Sequence, residues 1–329
     1  MNEDAGAGDE RVDAASDGSD AGVRGGGRAP EESFARLGNE LRFSILEVLH
    51  DRLTVGDRSD YTVPYSELRE AVGEEDSGRF GYHLDRLLGE FVEKRPGGYA
   101  IRYPGKEIVR TVYSGAVDER TEAVSRPVDA DCYLCGDPVR VAYADGYVSA
   151  CCTSCEGALA FDFTPEGALS SLPVPAGAVG DAVETAPLDL LDRVHGWFSH
   201  RARSFGDGIC PRCGGTVVSE IRACPAHDAE GGPCDECGTA LPATVEVTCR
   251  VCSESGIVPG GCAVSHRYPF RTALADAGVD RLGYDAFAVA MGWPSVPTER
   301  DGDPAVAYDL PTESAPVVVD GDLDIHVGG

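Results

Sequence analysis

The chain has 329 residues, enough for two or three domains, and carries 56 acidic against 28 basic side chains, a formal charge of −28. A surface that acidic argues against a polycation coating nucleic acid or anionic lipid, and leaves DNA binding only to a locally basic face. No apolar run reaches the ~18–20 residues that cross a bilayer, and the acidic N-terminus lacks the apolar core of a signal peptide, so a soluble cytoplasmic protein is expected.

Residues 1–29 are rich in Gly, Ala and Asp with almost no large apolar side chain, the composition of a disordered acidic tail. Residues 30–117 contain no cysteine and read as one domain. From Ser33, apolar residues at Phe34, Leu37, Leu41, Ile45, Val48 and Leu49 predict a helix with one buried stripe. Pro64 suits the first turn of a second helix, Ser66–Val72, which Gly73 ends. Asp76 or Ser77 caps a third, SGRFGYHLDRLLGEF, with Phe80, Leu84, Leu87, Leu88 and Phe91 facing inward and Arg79, Tyr82, His83, Arg86 and Glu90 outward. Gly78 and Gly81 leave room for close approach to another surface. VEKRPGGYAIRY reads as two strands about a Pro-Gly-Gly turn, and residues 104–116 as a fourth helix.

Helix, helix, helix, hairpin, helix is the order of a winged helix-turn-helix. Within residues 77–110 there are seven cations and four acids, a local +3 inside a −28 chain. The third helix would enter the major groove, with the hairpin against the backbone. Ser77, Arg79, Tyr82, His83, Arg86, Lys94, Arg95 and Arg102 are the candidate DNA contacts. Arg79 and Arg86 lead them, because a guanidinium pairs bidentately with guanine. The competing use of such a domain is protein docking, with the cations an ordinary solvated face.

Four stretches, LGNELRFSILEVL, YSELREAVG, DSGRFGYHLDRLLGEFV and GGYAIRYPGKEIVRTV, resemble the ArsR-type winged helix transcriptional regulators, in the version common in extremely halophilic archaea that a cysteine-rich domain follows. The resemblance covers about a quarter of the chain. It implies sequence-specific binding to double-stranded DNA by a homodimer packed through the first and last helices. It also accounts for the acidity, which keeps proteins hydrated in molar salt. The metal-sensing members carry cysteines in the second or third helix, and this chain has none there.

Residues 118–131 read as a linker and 132–329 as a cysteine-rich domain. All 13 cysteines lie between 132 and 262, mostly two residues apart. In a reducing compartment such pairs mean metal, zinc above all, rather than disulfides. Cys132, Cys135, Cys152 and Cys155 flank a predicted hairpin (YADGYVSA) and form a first ribbon, 132–163. A loop at 173–186 and a helix at 187–204 follow, the latter with Leu188, Leu191, Val194, Trp197 and Phe198 on one side. His195 and His200 on that helix read as packing or surface residues.

The second ribbon region, 208–262, offers eight ligands: Cys210, Cys213, Cys224, His227, Cys234, Cys237, Cys249 and Cys252. Their pairs can combine in sequence, first with second and third with fourth, which the strands between consecutive pairs favour. They can also cross-brace, or the outer four can form one ribbon with the middle pairs looped out. Two or three structural zinc ions are expected in all. Cys151 and Cys262 are left over, as small buried residues or as thiols for redox or metal sensing, Cys262 with His266 four residues on. A helix and short edge strands complete 263–329.

The fold class expected is therefore α+β: a winged helix-turn-helix, then small zinc-ribbon β modules with interspersed helices. No phosphate-binding loop, dinucleotide fingerprint, H-E-x-x-H or G-x-S-x-G occurs, and no catalytic role is expected.

Overall fold

The computed structural model describes residues 35–55, 62–117, 123–227 and 232–328, with the side chains of 54 and 55 excepted. The acidic tail expected at 1–29 and the stripe residues Ser33 and Phe34 lie outside the described residues. The chain is a mixed α+β structure with two separate apolar cores, one within 35–117 and one within 123–328.

In the first part, the long helix predicted from Ser33 is divided. A helical turn at 35–37 breaks at Gly38, and α1 (Glu40–Val55) starts afresh beneath Asn39, whose side-chain oxygen accepts from the Arg42 N–H at 3.3 Å. Next come α2 (Tyr65–Ala71) and α3 (Ser77–Leu87). Asp76 caps α3, accepting from the backbone N–H groups of Gly78 and Arg79 at 2.8 and 3.1 Å. Those two bonds hold its carboxyl below the usual range. Asp76→Ala is therefore expected to speed amide exchange in the first turn of α3, and Asp76→Asn to restore most of the protection.

Phe80, Leu84 and Leu87 are buried, as the stripe requires. The helix stops earlier than its predicted end at Phe91. Leu88 turns extended (ψ 141°) and Gly89 takes φ +84°, so Phe91 enters the core from the following turn. The closely approached glycine is served from within the domain: the Tyr65 hydroxyl donates to the Ser77 carbonyl at 2.9 Å and lies 3.4 Å from where a Cβ of Gly81 would stand.

A hairpin of β1 (Val92–Arg95) and β2 (Gly98–Ile101) precedes α4 (Tyr103–Tyr113). Val63 pairs with Tyr99 through two 2.9 Å backbone bonds and adds a third edge to the hairpin. Gly98 permits this, since a Cβ there would stand 2.2 Å from the Val63 carbonyl oxygen.

In the second part, the expected linker is only partly a connection. Residues 118–122 are outside the described residues, and 124–131 form strand β3 (Val124–Asp131) of an antiparallel sheet with β4 (Pro138–Ala144), β5 (Tyr147–Cys152) and β6 (Ala168–Pro173). Asp145 and Gly146, both at positive φ, make the tight β4–β5 turn that a twisted hairpin needs. The predicted loop at 173–186 instead holds two single-turn helices, α5 (Ala176–Val179) and α6 (Ala182–Thr185).

Helix α7 (Pro187–Gly206) packs on that sheet through Leu190, Leu191, Val194, His195 and Ala202. Its buried face is rotated from the predicted one, so Leu188 and Trp197 are exposed. A second sheet, β7 (Val217–Ala223), β8 (Ala243–Cys249) and β9 (Ser255–Val258), follows. Three short helices, α8 (Gly260–Val264), α9 (Phe270–Asp276) and α10 (Tyr284–Met291), then pack inward.

The chain ends in a meander of β10 (Ser295–Arg300), β11 (Asp303–Tyr308), β12 (Val317–Val319) and β13 (Ile325–Val327). These strands do more than line an edge: Val306, Tyr308, Val317 and Val319 belong to the main core, with Tyr308 edge-on to Phe270.

Candidate metal centres and nucleic-acid interface

Three sets of four side chains converge, each with its ligand atoms within 4.8 Å of one another. The first is Cys132, Cys135, Cys152 and Cys155 at one end of the β3–β6 sheet. Its Sγ–Sγ contacts are 3.8 Å (Cys132 to Cys155) and 3.5 Å (Cys135 to Cys152). A tetrahedron of thiolates around an ion with ~2.3 Å metal–sulfur bonds has edges of about 3.8 Å, so the spacing fits. It is far too long for a disulfide, and all 13 cysteines are free thiols.

The second region follows neither the sequential pairing that the intervening strands favoured nor the cross-brace; the outer four meet as in the third arrangement, but the middle pairs are not looped out. Cys210, Cys213, Cys249 and Cys252 form one set; Cys224, His227, Cys234 and Cys237 form the other, nested inside it. The reason is the register of β7 and β8. They are antiparallel, with Val217 opposite Cys249 and Ala223 opposite Ala243. The pair before β7 therefore meets the pair after β8, while the pairs at the opposite ends of these strands meet each other. Sulfur contacts of 3.7 and 3.6 Å close the outer set, and Cys237 Sγ stands 3.6 Å from His227 Nδ1 in the inner one.

The knuckle turns aim backbone N–H groups at sulfur. Ser154 and Cys155 donate to Cys152 Sγ at 3.3 Å, and Val251 donates to Cys249 Sγ at 3.3 Å. Burial opposes ionisation of Cys152, but these donors outweigh it and bring the thiol down to about 7. Cys249 is lowered to about 7 chiefly by the N–H of Cys252. Burial first, then the neighbouring sulfurs, pushes Cys155 and Cys252 up to about 12. Four thiols in contact cannot all ionise without a cation among them, so each set is suited to hold one.

The two leftover thiols behave as packing residues. Burial raises Cys151 to about 11 and Cys262 to about 12, which keeps both protonated and unreactive near neutrality. His266 turns away from Cys262 to pair with Asp207 at 2.9 Å.

His195 is wholly buried and His200 exposed. The Leu191 carbonyl only accepts, so Nδ1 of His195 carries the proton and donates to it at 2.8 Å; Nε2 then accepts from the Ser170 hydroxyl at 2.9 Å. Burial depresses this imidazole from its ordinary 6.5 to about 4. A depressed histidine supports the fold above its unfolded value and loses that support as pH falls through 6.5 toward 4. About 3 kcal/mol is at stake. Urea denaturation at pH 7 and pH 4.5 should show a larger loss for the natural protein than for His195→Gln, thiol protonation being common to both.

On the first part, α3 presents Ser77, Arg79, Tyr82 and Arg86 to solvent. Arg79 pairs with Glu74 at 3.2 Å, and Arg86 donates to the Tyr82 hydroxyl at 3.2 Å while lying over its ring. His83 is half-buried, edge-on to Tyr82; burial first, then Arg42 and Arg79, lowers its pKa. Lys94 lies over Tyr99, Arg95 is held by Glu93, and Arg102 is exposed at the start of α4. Arg36 and Arg42, absent from the sequence reading, share a hollow with Tyr82 and Arg86. A continuous helix would set residues six apart on different faces, and it is the break at Gly38 that brings these two together.

Among the described residues, no helix is long and apolar enough to cross a membrane. Residues 30–112 match the family model described as Domain of unknown function (DUF7347), and residues 129–325 match Domain of unknown function (DUF7351). No curated protein and no solved structure matches the chain. The second match spans more than half of the sequence and takes in β4 to β12 with all three candidate metal centres: the protein belongs to the DUF7351 family.

Proposed function

We propose that the protein is a cytoplasmic, DNA-binding transcriptional regulator, a homodimer that reads double-stranded DNA through α3 and the β1–β2 hairpin of an ArsR-like winged helix. Structural zinc ions stabilise its C-terminal part. The observation that carries this reading is the exposed face of α3: Arg79, Tyr82 and Arg86 project from a helix whose other side is locked into the core. Arg36, ion-paired with Glu90 at 3.6 Å, and Arg42 line the hollow beside it.

The metal sets support a structural role. Each provides four protein ligands, and a fully ligated zinc leaves no position for a reacting water. Catalysis therefore finds no support there. The second reading, an adaptor of winged helix and zinc ribbons that docks proteins without reading sequence, uses the same exposed face.

Genome-wide occupancy of the tagged protein in its own cytoplasm tests the choice. A regulator gives sharp peaks sharing a short, near-palindromic motif, and these vanish in Arg79→Ala/Arg86→Ala. Absent peaks, or peaks indifferent to both arginines, overturn direct reading by α3.

A further inference from the structure

Between the β3–β6 sheet, α7 and the β7–β9 sheet lies a cleft of about 630 Å³. That is the size of a small-molecule site rather than of a packing defect. Aromatic residues are only 7 % of the chain, yet Tyr147, Phe161, Phe163, Trp197, Phe198 and Phe205 all line it. Phe161 and Phe163 stack in parallel with centroids 5.6 Å apart. Phe163, Trp197 and Ile257 stand 57 %, 42 % and 58 % exposed around its mouth. A contiguous apolar, concave surface of this kind is unusual on a chain that is otherwise densely acidic.

Its charge is as distinctive as its shape. Arg222 in the wall is shared by Glu220 at 3.0 Å and Glu246 at 3.3 Å, so it offers no free cation. Arg201 remains, lying over the Trp197 ring at 4.8 Å and near Phe205 at 5.7 Å. Glu254 is ion-paired to that guanidinium through one nitrogen of its five-donor fork but is shared with Arg212 at 3.7 Å, so two cations face one carboxylate. The cleft thus offers flat rings along its sides and a fixed cation on one wall.

We infer that this cleft binds a small aromatic monoanion, its ring system between the Phe161–Phe163 stack and Trp197 and its acidic group toward Arg201. The walls are hung on the metal centres. Leu159 to Phe163 leave the first set after Cys155; Thr239 follows Cys237 of the inner set; Ser255 to Val258 follow Cys252 of the outer set. Leu159 bridges to Thr239, and Ala160 N–H donates to the Gly238 carbonyl at 2.8 Å, joining two of these walls.

The site stands independently of DNA binding, and its test uses no DNA. The metal-loaded full chain is titrated with 1-anilinonaphthalene-8-sulfonate, an aromatic monoanion, following energy transfer from tryptophan and counting bound probe by equilibrium dialysis. One saturable site per chain is expected. Phe163→Glu and Ile257→Glu should each weaken it by at least about tenfold, because a carboxylate is set against an apolar anion. Val296→Glu, equally exposed on β10, should leave it unchanged. Circular dichroism and metal content of the variants establish that they fold. Absence of a saturable site, or equal binding by all variants, overturns the inference. So does a dimer in sedimentation that Phe163→Glu dissociates, for then a second copy fills the cleft.

Discussion

Chelation of the metal from the reduced protein is expected to unfold residues 123–328 while leaving 35–117 folded. A structural zinc of this type contributes on the order of 10–16 kcal/mol in isolated fingers, as much as the ~5–15 kcal/mol that holds an entire domain together. The two parts have separate apolar cores and all the ligands belong to the second. Both tryptophans, Trp197 and Trp293, also lie there, so tryptophan emission follows that part alone, and amide exchange of α1 to α4 follows the other. Metal analysis should give three zinc ions per chain, falling to two in Cys249→Ser. Cys249 ends β8 and is buried, so its loss should lower the melting temperature more than loss of Cys224, which is half-buried beyond β7. A metal-free chain with an unchanged tryptophan melt would refute the structural role.

The second large effect concerns DNA. Each bidentate arginine–guanine pair discriminates by about 1–3 kcal/mol, so Arg79→Ala/Arg86→Ala should cost roughly 30-fold to 10⁴-fold in operator affinity. Anisotropy titrations with operator and scrambled duplexes should show the loss for the operator alone. Lys94→Ala/Arg95→Ala should instead weaken both duplexes alike and flatten the salt dependence. Near 1 M salt the Debye length is about 3 Å, so contacts of the second kind have little reach there and close readout dominates. Neither arginine of α3 is buried, and the double variant should melt as the natural protein does. Equal losses on both duplexes would show that α3 binds phosphate and not bases.

The sequence made some of this legible and hid the rest for physical reasons. Periodicity located α3 and the hairpin because Phe80, Leu84 and Leu87 fall on one helical face and Asp76 is a strong cap. It overran the end of α3 because Phe91 is also apolar and also buried, and only Gly89 marked the break. The ligand pairs were visible in the cysteine spacing, and the outer four were one grouping it allowed, whereas the inner set and the choice among groupings were not. Spacing along the chain is silent on strand direction, and it is the β7–β8 register that decides which knuckles meet. The aromatic cleft left no motif at all: its lining comes from four stretches, 147–173, 197–205, 222–259 and 287–291, that only the tertiary fold brings together.

The nesting of the two later metal sets bears on the order in which the domain assembles. The inner ligands span residues 224–237 and the outer ones 210–252, so closing the inner loop first costs less chain entropy, by about 1 kcal/mol for a threefold shorter segment. Once it is closed, the adjoining ends of β7 and β8 are already side by side, and pairing can run along the ladder until Cys210 and Cys213 reach Cys249 and Cys252. An ion held by the inner set would thus act as the turn of a long hairpin, and one held by the outer set as its clasp.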